Sequence, residues 1–197
     1  MLGLLVDFNG TISDDNFWRS LPAQEAEEVQ RKLFVENRDL VRRWMRGQVT
    51  SNYVVDYLHD ATRIEAQLLR DILITDCQTA FIDNEILQLI RLLRVRLRVF
   101  LVTGNMDCFK AHTVRALRLY DVFDDLVISS DIGMLKTDDS FFDWFGVKYQ
   151  IPITDCYLLD DDLKTGLAFA HAGGRFIRTR GPGETLRYLR GLSGSEL

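Results

Sequence analysis

Four short segments carry side chains that together could act on a phosphorylated compound. Asp7 closes the apolar run of residues 2–8 and is followed by Asn9, Gly10 and Thr11. A carboxylate at a strand tip, beside a glycine that permits a tight turn, is placed to attack phosphorus and form an aspartyl phosphate. Taken alone, the same Asp is more readily an ordinary turn former. Thr103-Gly104-Asn105 follows a second apolar run, and its hydroxyl and main-chain N–H groups could hold phosphate oxygens. Lys136, within Gly133-Met134-Leu135-Lys136-Thr137-Asp138, offers an ammonium that could neutralise both a carboxylate and an incoming phosphate, or could be a solvated surface lysine. Asp160-Asp161-Asp162 ends a third apolar run. Adjacent carboxylates repel, and the repulsion is relieved either by a hard cation such as Mg²⁺ or by the amides of a helix start.

These segments need a scaffold that brings distant positions together. Apolar runs at 2–8, 99–102, 126–128, 157–159 and 175–177 read as buried parallel strands. Segments of helical period at 107–119, 138–149 and 163–171 lie between the later runs, the alternation of a doubly wound α/β sheet. In such a sheet the working crevice lies beyond the carboxyl ends of the strands, where Asp7, Thr103, Ser129 and Asp160 emerge.

The stretch 13–81 is too long for a crossover and is mainly helical in pattern, so it is expected to form a separate helical domain. Residues 1–12 and 82–197 then make the α/β core. Within the insert, 24–45 reads as one helical run with Val29, Leu33, Leu40, Val41 and Trp44 on a face, and Gly47 as its stop. Thr50 or Ser51 restarts the chain into helices at 52–59 and 64–73, giving a bundle of four. A helix at 85–93 returns to the core through Ile86, Leu89, Ile90 and Leu93.

Composition narrows the function classes. An apolar fraction of 47% with 27% charged residues over 197 positions describes a folded globular chain, and the net charge of −5 argues against a general nucleic-acid binder. Cys77, Cys108 and Cys156 show neither a disulfide framework nor zinc spacing, which fits a reducing cytoplasm. No apolar stretch reaches the roughly 20 residues needed to span a bilayer, so no membrane partner is expected.

In their order, strand–Asp, strand–Thr, loop–Lys and strand–Asp-Asp, the four segments resemble the haloacid dehalogenase superfamily of phosphohydrolases and related enzymes. That family's pattern begins hhhDxDGT, continues with a Ser or Thr after a later strand and then a Lys, and ends at an acidic strand tip; here these are Asp7, Thr103, Lys136 and Asp160-Asp161. The resemblance extends over nearly the whole chain and includes Ala168, Ala172 and Gly173 in the helix after the last motif. It implies a Rossmann-like core with a helical cap at 13–81. It also implies a small phosphorylated substrate held by Thr103, Gly104, Asn105 and Lys136, Asp7 as nucleophile, and a Mg²⁺ cofactor ligated by Asp7, the main-chain carbonyl of Asn9, and Asp161.

Two positions depart from the pattern. Where relatives carry a second Asp that handles the proton, this chain has Asn9, and where many carry a further acid near the metal it has Thr165, for which Asp160 or Asp162 could substitute. A neutral amide cannot exchange that proton, and loss of acid–base help costs about 10²–10⁴-fold in rate. Three readings follow: a Mg²⁺-dependent phosphatase that is slow or has another proton donor, a catalytically weak protein binding a phosphorylated ligand or a partner, and a dehalogenase, against which the acidic run counts. One of Arg42, Arg43 and Arg46 could reach an anionic substrate tail, though surface is the better reading for them, and Phe17, Trp18 and Tyr53 could line the substrate pocket or equally well pack in a core. His59, His112 and His171 lack ligand spacing, and Arg91, Arg94, Arg96 and Arg98 read as solvated surface.

Overall fold

The computed structural model describes residues 2–194, so Met1 and residues 195–197 of the expected core segments lie outside the described residues. Five short strands form one parallel sheet: β1 (Gly3–Val6), β2 (Arg98–Thr103), β3 (Asp125–Ile128), β4 (Cys156–Asp160) and β5 (Arg175–Arg178), in the order β3-β2-β1-β4-β5. This is the doubly wound α/β architecture that the alternation of the sequence implies. β1 is central and wholly buried, and each apolar run of the sequence falls on one strand.

The two-residue period of a strand divides the core into two faces. Leu4, Val6, Val99, Leu101 and Leu159 point to one side, packing with Ile86, Ile90, Phe109, Val114 and Leu189. Leu5, Phe100, Val102 and Leu158 point to the other, among Phe141, Phe142, Phe145 and Phe169.

The insert contains four helices, α1 (Ala23–Gln30), α2 (Arg38–Met45), α3 (Ser51–Thr62) and α4 (Ala66–Gln78). The single helix expected at 24–45 is therefore interrupted. After α1 the chain widens into a π turn at Arg31–Val35, and Asn37 restarts it as the cap of α2, its side chain accepting from the Leu40 N–H at 3.2 Å. Periodicity missed the break because Val29, Leu33, Leu40 and Trp44 all remain buried in one cluster. Gly47 ends α2 as expected: it has φ +66°, and the N–H groups of Gly47 and Gln48 close back on the carbonyls of Trp44 and Arg43. A side chain there would also lie 2.3 Å from the Ser130 carbonyl oxygen.

From α5 (Asn84–Leu93) onward the chain alternates strand and helix. The helix expected at 107–119 is instead a π turn at Phe109–Thr113 running into the short α6 (Val114–Ala116), followed by a left-handed residue, Arg118. Next come α7 (Ser129–Ile132) and α8 (Phe141–Tyr149), the latter starting three residues later than its period suggests. α9 (Leu163–His171) follows β4, and α10 (Pro182–Gly194) packs against α5. Among the described residues, no helix is long and apolar enough to cross a membrane.

The insert is fastened to the core by partly buried polar contacts. Asp107 accepts hydrogen bonds from Trp44 Nε1 at 2.8 Å, the Ser51 N–H at 3.0 Å and Ser51 Oγ at 2.6 Å. Asp107→Ala strands these donors, so denaturant unfolding should show a loss of about 1–3 kcal/mol and limited proteolysis should cut the insert faster; unchanged stability and cleavage would remove Asp107 as the fastening.

Candidate active site

Parallel register brings the acidic groups together. Val6 pairs with Leu101 on one side and Leu159 on the other, so the residue that follows β1, Asp7, leaves the sheet beside Asp160 at the tip of β4. The main-chain N–H of Asp7 donates to the Leu159 carbonyl at 2.9 Å, holding the two tips in step. Carboxylate oxygens of Asp7, Asp160 and Asp161 all lie within 4.8 Å of one another.

Lys136 reaches this cluster from the loop between α7 and α8. Its Nζ lies 2.7 Å from Asp7 Oδ1 and 2.6 Å from Asp160 Oδ2. It is therefore not a solvated lysine: the residue is only 8% exposed. Burial opposes its charge, but the carboxylates of Asp7 and Asp160 outweigh burial and hold its pKa above the ordinary lysine value. Asp138 fixes the Lys136 loop by accepting from the Leu135 N–H at 3.0 Å, while its other oxygen pairs with Arg46 of the insert at 2.6 Å.

One ammonium does not balance three carboxylates. Burial pushes Asp160 up to about 6, against the opposing pull of Lys136, and burial followed by the charge of Asp160 raises Asp161. Asp7 Oδ1, although in ion-pair contact with Lys136, is buried with no aligned hydrogen bond. Two uncompensated negative charges on hard oxygen ligands, with one ligand atom left without a donor, suit a divalent cation such as Mg²⁺. Gly10 leaves room for this cluster: it has φ +71°, and a side chain at that position would come within 2.5 Å of Asp161 Oδ2.

Asp162, the third residue of the acidic run, does what the structural alternative required. It caps α9, accepting from the N–H groups of Lys164 and Thr165 and from Thr165 Oγ1 at 2.7 Å. Burial opposes its charge, but these hydrogen bonds prevail and hold its pKa below the usual carboxylate value. Thr165 thus supports the helix cap, and Asp162 is not one of the three carboxylates, Asp7, Asp160 and Asp161, that converge.

On the other side of Asp7, the buried Asn105 organises two neighbours. Its Nδ2 donates to Thr103 Oγ1 at 2.9 Å and to Asn9 Oδ1 at 2.8 Å. Since the Thr103 oxygen is the acceptor in that bond, its own hydroxyl hydrogen can point at a ligand. Asn9 Nδ2 donates to the Asp15 carbonyl at 3.1 Å, so both ends of that amide are engaged.

These groups line a cavity of about 470 Å³ formed by Asp7, Asn9, Thr103, Gly104, Lys136 and Asp161, with Gly10, Leu135, Thr137, Asp162 and Thr165. Asp7, Asn9, Thr103, Gly104, Lys136 and Asp161, singled out in the sequence, line the cavity together, whereas Asn105 is not among the lining residues and is buried with its Nδ2 donating to Thr103 and Asn9. Asp160 as the buried partner of Lys136 was not foreseen, although its place as the last residue of β4 was a usable signal, and neither were Asn16 and Met45, the two insert residues on the cavity wall.

Several proposed contacts lie elsewhere. Trp18 is fully buried and donates to the Leu69 carbonyl, Phe17 packs on Trp18 and Trp44, and Tyr53 is exposed. Arg46 is held by Asp138 and the Gly133 carbonyl, while Arg42 and Arg43 are exposed. Arg94, Arg96 and Arg98 are not merely solvated: they bind Asp124, the α10 carbonyls of Leu192 and Ser193, and the Tyr149 carbonyl. His59 binds the Ile64 carbonyl, and no histidine is among the cavity-lining residues.

No family model matches the sequence, and no curated protein matches it. Solved structures do. A HAD family enzyme from Bacteroides thetaiotaomicron, in complex with magnesium and inorganic phosphate, superposes with TM-score 0.73 at 15% identity, covering 92% of this chain and 96% of that one. A predicted HAD-like family hydrolase from Porphyromonas gingivalis gives TM-score 0.76 at 14% identity over 100% and 99% of the two chains. This chain has the haloacid dehalogenase-like hydrolase fold. A 2-haloacid dehalogenase from Pseudomonas syringae shares the fold at TM-score 0.59 and 19% identity, covering 90% and 86%. Since the fold serves both kinds of protein, the site must decide the chemistry.

The raised Asp160 predicts a pH signature. An acid that holds its proton more tightly when folded adds stability as pH falls through its folded value. Metal-free protein should therefore become more resistant to denaturant between pH 7 and pH 5, and added Mg²⁺ should reverse that slope. Parallel profiles for the unaltered chain and Asp160→Asn would show that Asp160 carries no such shift.

Proposed function

We propose that this protein is a Mg²⁺-dependent phosphohydrolase that acts on a small phosphorylated metabolite through an aspartyl phosphate at Asp7. The observation that carries the reading is the convergence of Asp7, Asp160 and Asp161 around a common point, with Lys136 between two of them. The magnesium and phosphate bound by the Bacteroides enzyme of the same fold support it.

In this mechanism Asp7, Asp161 and the main-chain carbonyl of Asn9 would hold the cation. When bound, Mg²⁺ offsets charge on the phosphoryl oxygens and on the carboxylates. Lys136 and the free hydroxyl hydrogen of Thr103 hold the remaining oxygens, together with the main-chain N–H of Gly104. Asp7 then attacks phosphorus in line with the departing oxygen. A dehalogenase needs no such cluster, because a carboxylate attacking carbon displaces halide without a cation.

The engaged amide of Asn9 favours a second feature, slow release of phosphate. A catalytically weak phosphate-binding protein is its limiting form. The insert serves as the cap over the cavity, through Asn16 and Met45. Its two linkers, near 13–15 and 79–84, are the hinges; they run together, with the Phe81 N–H donating to Asp15 Oδ2 at 2.7 Å.

Phenol release from an aryl phosphate should require Mg²⁺ and should vanish in Asp7→Asn. Release unaffected by chelator, or halide release from a haloacid, would replace the phosphoryl reading with the dehalogenase one. Proline substitutions that stiffen either linker should lower turnover more than ligand affinity; an unchanged rate would count against a moving cap.

A further inference from the structure

The cavity contains a nucleophile but no group free to carry a proton. Asn9, beside Asp7, is an amide whose oxygen accepts from Asn105 and whose nitrogen donates to the Asp15 carbonyl. Lys136 is fixed between Asp7 and Asp160, and Asp161 belongs to the cation cluster. Both Asp162 oxygens are taken by the start of α9. The insert brings only Asn16 and Met45 to the wall, and neither ionises. Arg46 of the insert, which reaches the loop of Lys136, is tied down by Asp138.

We infer that this site, if it transfers phosphoryl groups as proposed above, takes them from compounds whose leaving group departs without a proton, acyl phosphates foremost, and retains the phosphoryl group on Asp7. In the first step an Asp7 oxygen bonds to phosphorus as the bond from phosphorus to the bridging oxygen breaks. The electron pair leaves on the departing carboxylate, which is stable as the anion. An alkyl phosphate would instead release an alkoxide, whose proton no lining side chain supplies. In the second step water attacks phosphorus, Asp7 is restored as carboxylate, and both water protons end on dihydrogen phosphate or pass to solvent. No residue is placed to take a proton from that water, so the intermediate outlasts the first step.

The hydrogen bonds around Asn9 also indicate what an acid there would do. In Asn9→Asp one oxygen would accept from Asn105 while the other would face the Asp15 carbonyl, an acceptor. That arrangement favours the protonated form, so the variant would gain the missing proton donor.

The test uses the intact protein with Mg²⁺ and acetyl phosphate, a series of aryl phosphates of rising phenol pKa, and an alkyl phosphate. Intact-protein mass spectrometry and product release are both followed. One phosphoryl group per chain should accumulate from acetyl phosphate and from the most acidic phenols, with loading falling steeply along the series and absent for the alkyl phosphate. Asp7→Asn should never load, and Asn9→Asp should flatten the series and shorten the life of the loaded form by about 10²–10⁴-fold. Equal rates on alkyl and acyl phosphates, or fast turnover with no loaded protein, would overturn the inference while leaving the phosphohydrolase reading standing. If neither the unaltered chain nor Asn9→Asp reacts with any of these compounds, the phosphoryl reading fails and the inference with it. The series on the unaltered chain decides the matter even if Asn9→Asp does not fold.

Discussion

The contact on which the site depends is the buried ammonium of Lys136 between Asp7 and Asp160. Isolated carboxylates at that depth would be costly, and one removed partner would leave an uncompensated charge. Lys136 makes the juxtaposition of two strand tips tolerable without neutralising it. The charge that Lys136 leaves unbalanced stays on three carboxylates whose oxygens lie within 4.8 Å of one another, so one interaction bears on both the stability and the electrostatics of the crevice.

The rest of the molecule can be understood as what holds that contact in place. The parallel register of β1 and β4 puts Asp7 and Asp160 side by side. Asp138 closes the loop that delivers Lys136, and through Arg46 the same carboxylate ties the loop to the insert. The insert and the loop that carries Lys136 are therefore joined through one carboxylate. Asn105 does the corresponding work opposite, setting Thr103 and Asn9 with one amide nitrogen.

Much of this was legible in the sequence because strands announce themselves locally. Each apolar run became a strand, and Asp7, Thr103 and Asp160 stood at their ends. Gly47 was readable as a helix stop because a left-handed residue has few alternatives. What sequence could not show was partnership over long separations. Taken alone Lys136 could be a phosphate-holding or a surface lysine, and it is the Asp7 and Asp160 carboxylates within 2.7 Å of it that decide between them. Whether Arg46 could reach a substrate is answered by Asp138 beside it, and of the two readings open for Trp18 and Phe17 the structure selects packing in the insert's own core. The break at Asn37 was hidden because a π turn preserved the burial of the flanking face.

The central claim is that the acidic cluster is a cation site built around Lys136. Calorimetric titration of the metal-free protein with Mg²⁺ tests it most directly, compared with Asp161→Asn and with Asp162→Asn. The account predicts one saturable Mg²⁺ per chain, lost in Asp161→Asn and retained in Asp162→Asn, whose parent residue only caps a helix. No saturable binding to the unaltered chain, or equal loss in both variants, would contradict it.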